Sequence, residues 1–158
     1  MKRYLLLLAI AVMAALPSFA EQGDMGFGVQ MDYASRKSMI GLGAQFQLEP
    51  VRNFRIAPEF LYYFETSNLT AYNVNFNLHY LIRVHSGMTV YPLAGFSYAH
   101  FNFKDVVVDS KANRYGANIG VGFEYRLTER LSFYTEQRFQ ILKNWNQSVT
   151  CLGLKVNF

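Results

Sequence analysis

From Met25 onward, apolar side chains fall at every second position. Met25, Phe27, Val29, Met31 and Tyr33 alternate with Asp24, Gly26, Gly28, Gln30 and Asp32. Successive side chains of a strand point to opposite faces, so this spacing predicts a β-strand with one apolar side. The pattern recurs along the chain. Ile40, Leu42, Ala44, Phe46 and Leu48 form a second apolar face, and Phe54 to Phe64 a third. The clearest is the fourth, in which Tyr72, Val74, Phe76, Leu78, Tyr80, Ile82 and Val84 enclose Asn73, Asn75, Asn77, His79, Leu81 and Arg83. Val90 to Ala99 and Arg114 to Leu127 give the fifth and sixth strands, Leu131 to Ile141 the seventh, and Cys151 to Phe158 the eighth. Gln137 interrupts the apolar face of the seventh and leaves its register open. Turn-forming residues separate the segments, among them Ser35-Arg36-Lys37, Glu49 to Asn53, Ser67-Asn68, His85-Ser86-Gly87, Thr128-Glu129-Arg130 and Lys143-Asn144. The short connections imply antiparallel neighbours. Strands of about ten residues match the length a tilted strand needs to cross a bilayer.

An eight-stranded antiparallel barrel can be built from this pattern in two ways. A soluble, lipocalin-like binder turns the apolar face inward. A membrane barrel turns it outward to lipid and fills the lumen with polar groups. Two features favour the second. The polar face collects glycines and charges of both signs: Arg55, Glu59, Arg83, Glu124, Arg126, Glu136, Arg138 and Lys155. Small and mutually pairing residues suit the narrow interior of such a barrel. The apolar faces also carry aromatics near both ends, as membrane girdles do. Tyr33, Tyr62, Phe64, Tyr72, Tyr98 and Tyr115 belong to one rim; Phe46, Phe54, Tyr80, Tyr125, Phe133 and Phe158 belong to the other. Pro58 and Pro92 each remove a ladder donor and are expected at bulges or rims. The fold class is therefore all-β, a closed up-and-down transmembrane barrel over residues 21–158, in which every backbone group pairs without an edge.

The first 20 residues have a different layout. Lys2 and Arg3 precede an apolar run from Tyr4 to Leu16, and Ser18 and Ala20 supply the small residues of a cleavage site. This is the pattern of a secretory signal peptide, 1–20. The sole cysteine is Cys151, so no lipid-anchor cysteine follows the leader and no disulfide framework or cysteine-rich zinc module is expected. Removing Lys2 and Arg3 takes the 15 basic residues to 13 against 11 acidic, a net of +2. That excess is small and lacks a basic block, which argues against nucleic acid as a partner.

The last eight residues, Cys151-Leu-Gly-Leu-Lys-Val-Asn-Phe158, combine Gly153 with hydrophobics at alternate positions and a terminal aromatic. This stretch is similar to the C-terminal strand signal of bacterial outer-membrane barrels, and Val90–Tyr98 and Tyr115–Phe139 resemble the same regions of small OmpA/OmpX-like barrel proteins. The resemblance implies outer-membrane lipids as surroundings in a Gram-negative bacterium. It implies that the barrel assembly machinery reads Gly153, Leu154, Val156 and Phe158. It also implies termini and short turns (49–53, 85–88, 128–130) in the periplasm. The external loops would then be 34–38, 65–70, 102–112 and 142–147, the third being longest and carrying Lys104, Asp105, Asp109 and Lys111. No appended periplasmic peptidoglycan-binding domain is expected after Phe158.

Chemistry is sparse. Some small outer-membrane barrels modify lipids through a nucleophile and a His–acid pair at the rim. Here His79 belongs to the lumen register, His85 precedes Ser86 in a turn, and His100 lies near the outer rim without a serine two residues on. No triad can be assembled, so no enzyme is expected. No cofactor or metal set has ligand spacing; Asp105 and Asp109 read as a solvated loop. Cys151 reads as an inert buried thiol. The lumen charges are expected to pair into a network, because unpaired charge in a narrow interior is costly. The expected role is structural, or surface contact with a host or other ligand through the loops. A narrow or gated pore is the alternative, and a lipid-modifying enzyme a more remote one.

Overall fold

A computed structural model of the chain describes residues 25–66, 68–103 and 110–158. The expected signal peptide, residues 1–20, and Lys104, Asp105 and Asp109 of the third loop, lie outside the described residues. The strands are β1 (Met25–Ala34), β2 (Met39–Val51), β3 (Phe54–Thr66), β4 (Leu69–Tyr80), β5 (Ile82–His85), β6 (Met88–Phe103), β7 (Ser110–Arg126), β8 (Leu131–Leu142) and β9 (Gln147–Asn157). Each pairs antiparallel with its neighbours, and the ring closes where β1 meets β9, for example Met31↔Leu152. β4 and β5 together make one stave, so the barrel has eight.

The apolar register faces outward along the strands. Phe27, Val29, Met31 and Tyr33 of β1 are half exposed, as are Leu152, Leu154 and Val156 of β9. Their neighbours Gln30, Asp32, Cys151 and Lys155 are buried. An exposed apolar belt of this extent suits lipid rather than water. Met25 departs from the pattern. It lies at the first position of β1, where the alternation has not yet begun, and is buried.

The fourth predicted strand is broken at Leu81. The register His79↔Leu93 continues as Ile82↔Val90, which sets Pro92 opposite Tyr80. Pro92 has no N–H to give, so the ladder lapses there. Leu81 keeps its bond on the other side, donating to Asn53 O at 2.7 Å. Beyond the break, β5 pairs with β6 alone, and both of its faces are exposed. Pro58 sits inside β3 where pairing with β2 lapses between Gln45↔Glu59 and Leu48↔Ile56. Neither proline is at a rim; each sits where the ladder skips a bond.

β6 and β7 run longer than expected. Asn102↔Lys111 and Phe103↔Ser110 are paired, so the third loop is narrower than 102–112 and the backbone of Lys111 belongs to a strand. At tight turns, Ser38, Asn53, Asn68, Asn144 and Gly87 take positive φ, a conformation that Asn and Gly adopt most readily. Gln137 faces outward in an unshifted register, opposite Thr150 on β9 and Val121 on β7. Its amide donates to Ser148 Oγ (2.6 Å) and its carbonyl accepts from Thr150 Oγ1 (2.7 Å), so neighbours satisfy the polar groups that the belt would leave bare.

Two ends result. The terminal end holds Met25, Phe158 and the tight turns before β3, β6 and β8. The loop end holds the connections β1–β2, β3–β4, β6–β7 and β8–β9.

Candidate functional site

The lumen is filled by three chemistries in succession. At the loop end it is apolar: Leu61, Tyr63, Leu69, Phe101, Leu142 and Val149, with Ala34, Met39, Ala71 and Ala99, form one buried cluster. Trp145, from the β8–β9 turn, closes it. Its ring lies 4.7 Å from Phe101 and 6.3 Å from Phe103, and its Nε1 donates to Gln147 Oε1 at 3.1 Å. A lumen filled with polar groups was expected. The inward register instead switches to apolar residues as the strands approach the loop end.

Next comes a layer of amides. Gln147 Nε2 donates to Gln140 Oε1 (2.7 Å), and Asn118 Nδ2 donates to Asn77 Oδ1 (3.0 Å). Below it Arg138 is fully buried among three carboxylates. Its guanidinium bonds Asp32 and Glu59 and lies 3.7 Å from Glu136. Gln30 and Gln45 donate to Glu59 at 3.3 and 3.1 Å, and Gln30 also donates to Asp32 at 2.9 Å. Tyr91 OH donates to Glu136 at 2.9 Å, and Tyr134 OH to Gln30 Oε1 at 2.8 Å. Glycines make room for both rings. A Cβ on Gly122 would stand 2.2 Å from the Tyr91 ring, and one on Gly153 would stand 2.3 Å from the Tyr134 ring.

At the terminal mouth Arg55 binds Glu49 (2.9 Å) and Glu124 (2.7 Å). Lys155 donates to Glu124 (2.6 Å) and to Gln47 (3.0 Å). Arg83, with 44% of its side chain exposed, reaches Glu49 at 2.7 Å. A cavity of about 160 Å³ opens here, lined in part by Arg55, Arg83, Glu124 and Lys155.

Of the eight charges expected in the lumen, Arg55, Glu59, Glu124, Glu136, Arg138 and Lys155 are buried there, in two groups rather than one. Arg83 is at the mouth. Arg126 is exposed: it is the last residue of β7, where the strand leaves the barrel, and it lines the mouth cavity rather than the packed interior. Asp32 and Glu49 were not assigned to the network. Both stand on the polar register of their strands, and that parity was the signal available for them.

The histidines are dispersed. His79 is buried and stacked on Tyr91 at 4.6 Å, with its Nε2 3.9 Å from Glu136. His100 stacks on Tyr72 at 4.8 Å and contacts Asn113. Among the described residues no histidine nitrogen bonds a hydroxyl or thiol, the pairing that an activated nucleophile requires. Cys151 is buried and unpaired. Among the described residues no group of three or more metal-ligating side chains is placed to hold a metal ion.

With this geometry in view, the sequence itself matches the family described as "Outer membrane protein beta-barrel domain" over residues 5–158. The chain belongs to that family. It is an outer-membrane barrel, and its apolar belt is the surface that meets the membrane lipid. Similar solved structures include the N-terminal β-barrel domain of OprF from Pseudomonas aeruginosa, at 16% identity and TM-score 0.77, covering 87% of this chain and 98% of that one. Neisserial surface protein A follows at 15% identity and TM-score 0.68, with 86% and 97% covered. Ail, the attachment invasion locus protein of Yersinia pestis, stands at 11% identity and TM-score 0.61, with 86% and 97% covered. At these identities the likeness is one of fold. A search of curated proteins gave no match.

Proposed function

We propose that the protein is a non-enzymatic, closed barrel whose interior serves stability and whose loop end serves envelope structure or surface contact. The observation that carries this reading is the Trp145-capped apolar core, which fills the lumen at the loop end with buried apolar side chains. The loop end would face outward and the terminal end the periplasm, with residues 1–20 removed on export. Gly153 faces in, and Leu154, Val156 and Phe158 are exposed on the outer face. That arrangement suits a terminal strand read by the barrel assembly machinery. A gated pore would use the charged mouth, but the core above it would have to unpack.

Complementation of a deletion strain tests the proposal. Replacing residues 35–38, together with Lys143 and Asn144, by Gly-Ser turns should keep a folded, membrane-located barrel with Trp145 in place and abolish its contact or envelope phenotype. The conservative interior change Glu136→Gln should complement fully. If the loop-replaced barrel complements and Glu136→Gln does not, the working part is the lumen and the proposal is wrong.

A further inference from the structure

One side of the loop end carries a concentration of cations. Arg36 and Lys37 lie in the β1–β2 turn, Arg114 on β7 and Lys143 in the β8–β9 turn. These elements are joined: Ser35 N donates to Ser148 O (2.9 Å), Arg36 Nη1 to Asn146 O (3.4 Å), and Arg114 Nη1 to Lys143 O. Both guanidinium groups are held on one indole, with Arg36 Cζ 4.5 Å and Arg114 Cζ 5.6 Å from the Trp145 ring. Ring and carbonyl contacts orient the two arginines without cancelling their charge. The Nε of Arg114 is buried with no partner. Among the described residues of this end the acid is Glu65, on β3, the strand across the barrel from β8.

The height of the cluster is set by the aromatic rim. Tyr33 OH bonds Ser38 Oγ (3.3 Å), and Tyr115 O accepts from Lys143 N (3.3 Å), so the turns that carry Arg36, Lys37 and Lys143 leave the barrel at the level of these outward-facing rings. Aromatic belts lie at the level of lipid headgroups. A planar guanidinium matches phosphate oxygens, and lysine adds a mobile point charge. Basic pockets at this depth select anionic headgroups.

We propose that Arg36, Lys37, Arg114 and Lys143, arranged about Trp145, form a binding site for the phosphate groups of an anionic lipid headgroup in the surrounding leaflet. This rests on the proposed outward orientation of the loop end, and it holds whether or not the lumen conducts.

Trp145 is the sole tryptophan of the chain, so its emission reports on the site directly. The refolded protein in neutral phosphatidylcholine nanodiscs would be titrated with bis-phosphorylated lipid A and, separately, with the dephosphorylated form. The expected result is a saturable change in emission with the phosphorylated lipid, at least about tenfold weaker with the dephosphorylated one. Lys37→Gln/Lys143→Gln, which leaves the Trp145 stack intact, should weaken binding roughly three- to tenfold, and Arg36→Gln more. Heat-modifiable gel mobility checks that each variant is folded. Equal responses to both lipids, or unchanged affinity in folded variants, would overturn the site. An equal response to a soluble sulfated polymer, in nanodiscs without lipid A, would overturn the lipid source and assign the lip to a free polyanion.

Discussion

At the loop end Leu61, Tyr63 and Phe101 pack beneath Trp145 as a buried apolar core, while nearer the terminal end Arg138 is surrounded by Asp32, Glu59 and Glu136. Both regions fill the same narrow lumen, but they constrain the fold differently. Apolar packing is non-directional and accepts several arrangements of similar volume. A guanidinium bonded to carboxylates on β1 and β3 accepts one. A one-residue slip of β8 would also turn Arg138 and Glu136 into lipid, so the ionic half fixes the register that the apolar half merely rewards. That division places the tightest register constraint at Arg138, between the apolar plug and the charged terminal mouth.

The largest effect should come from the ionic half. Arg138→Met leaves three carboxylates facing one another and is expected to cost about 3–5 kcal/mol, measured by urea unfolding of the bilayer-reconstituted protein. A loss below about 1 kcal/mol would erase the contrast. In the apolar half, Leu61→Ala should cost about 3 kcal/mol through lost burial and a cavity, with no dependence on salt. Sensitivity to salt there would mean that the core is wetter than described. Gly122→Ala drives a methyl into the Tyr91 ring and should cost about 1–3 kcal/mol, read as a lower midpoint in the same titration. Smallest is Arg83→Gln at the mouth, about 0.5 kcal/mol at low ionic strength and less in high salt, because that ion pair is half exposed.

Much of this was legible from spacing. Period two placed Phe27, Val29 and Met31 outward and Gln30 and Asp32 inward, and even Gln137 kept its parity once Ser148 and Thr150 satisfied it. Other features depend on what sits across the strand, which spacing does not carry. Ile82 and Val84 continue the alternation of β4, yet the ladder with β6 lapses opposite Pro92 and the pairing with β3 ends at Tyr80, so the two residues lie on a separate strand that pairs with β6 alone. Leu61, Leu81 and Leu93 all fall on the polar register of their strands. Leu61 joins the plug at the loop end, whereas Leu81 and Leu93 pack with Tyr91 elsewhere, a division set by three-dimensional height alone. Asp32 and Glu49 carried the right parity, but their partners lie on other strands, so only the closed barrel assigns them to the network.

The central claim is that the two halves together seal the lumen. The most direct measurement is single-channel recording of the refolded wild-type protein in a planar bilayer. A sealed lumen predicts a quiet baseline with no unit steps across the voltage range. Reproducible steps of one size from the folded, heat-modifiable species would contradict it.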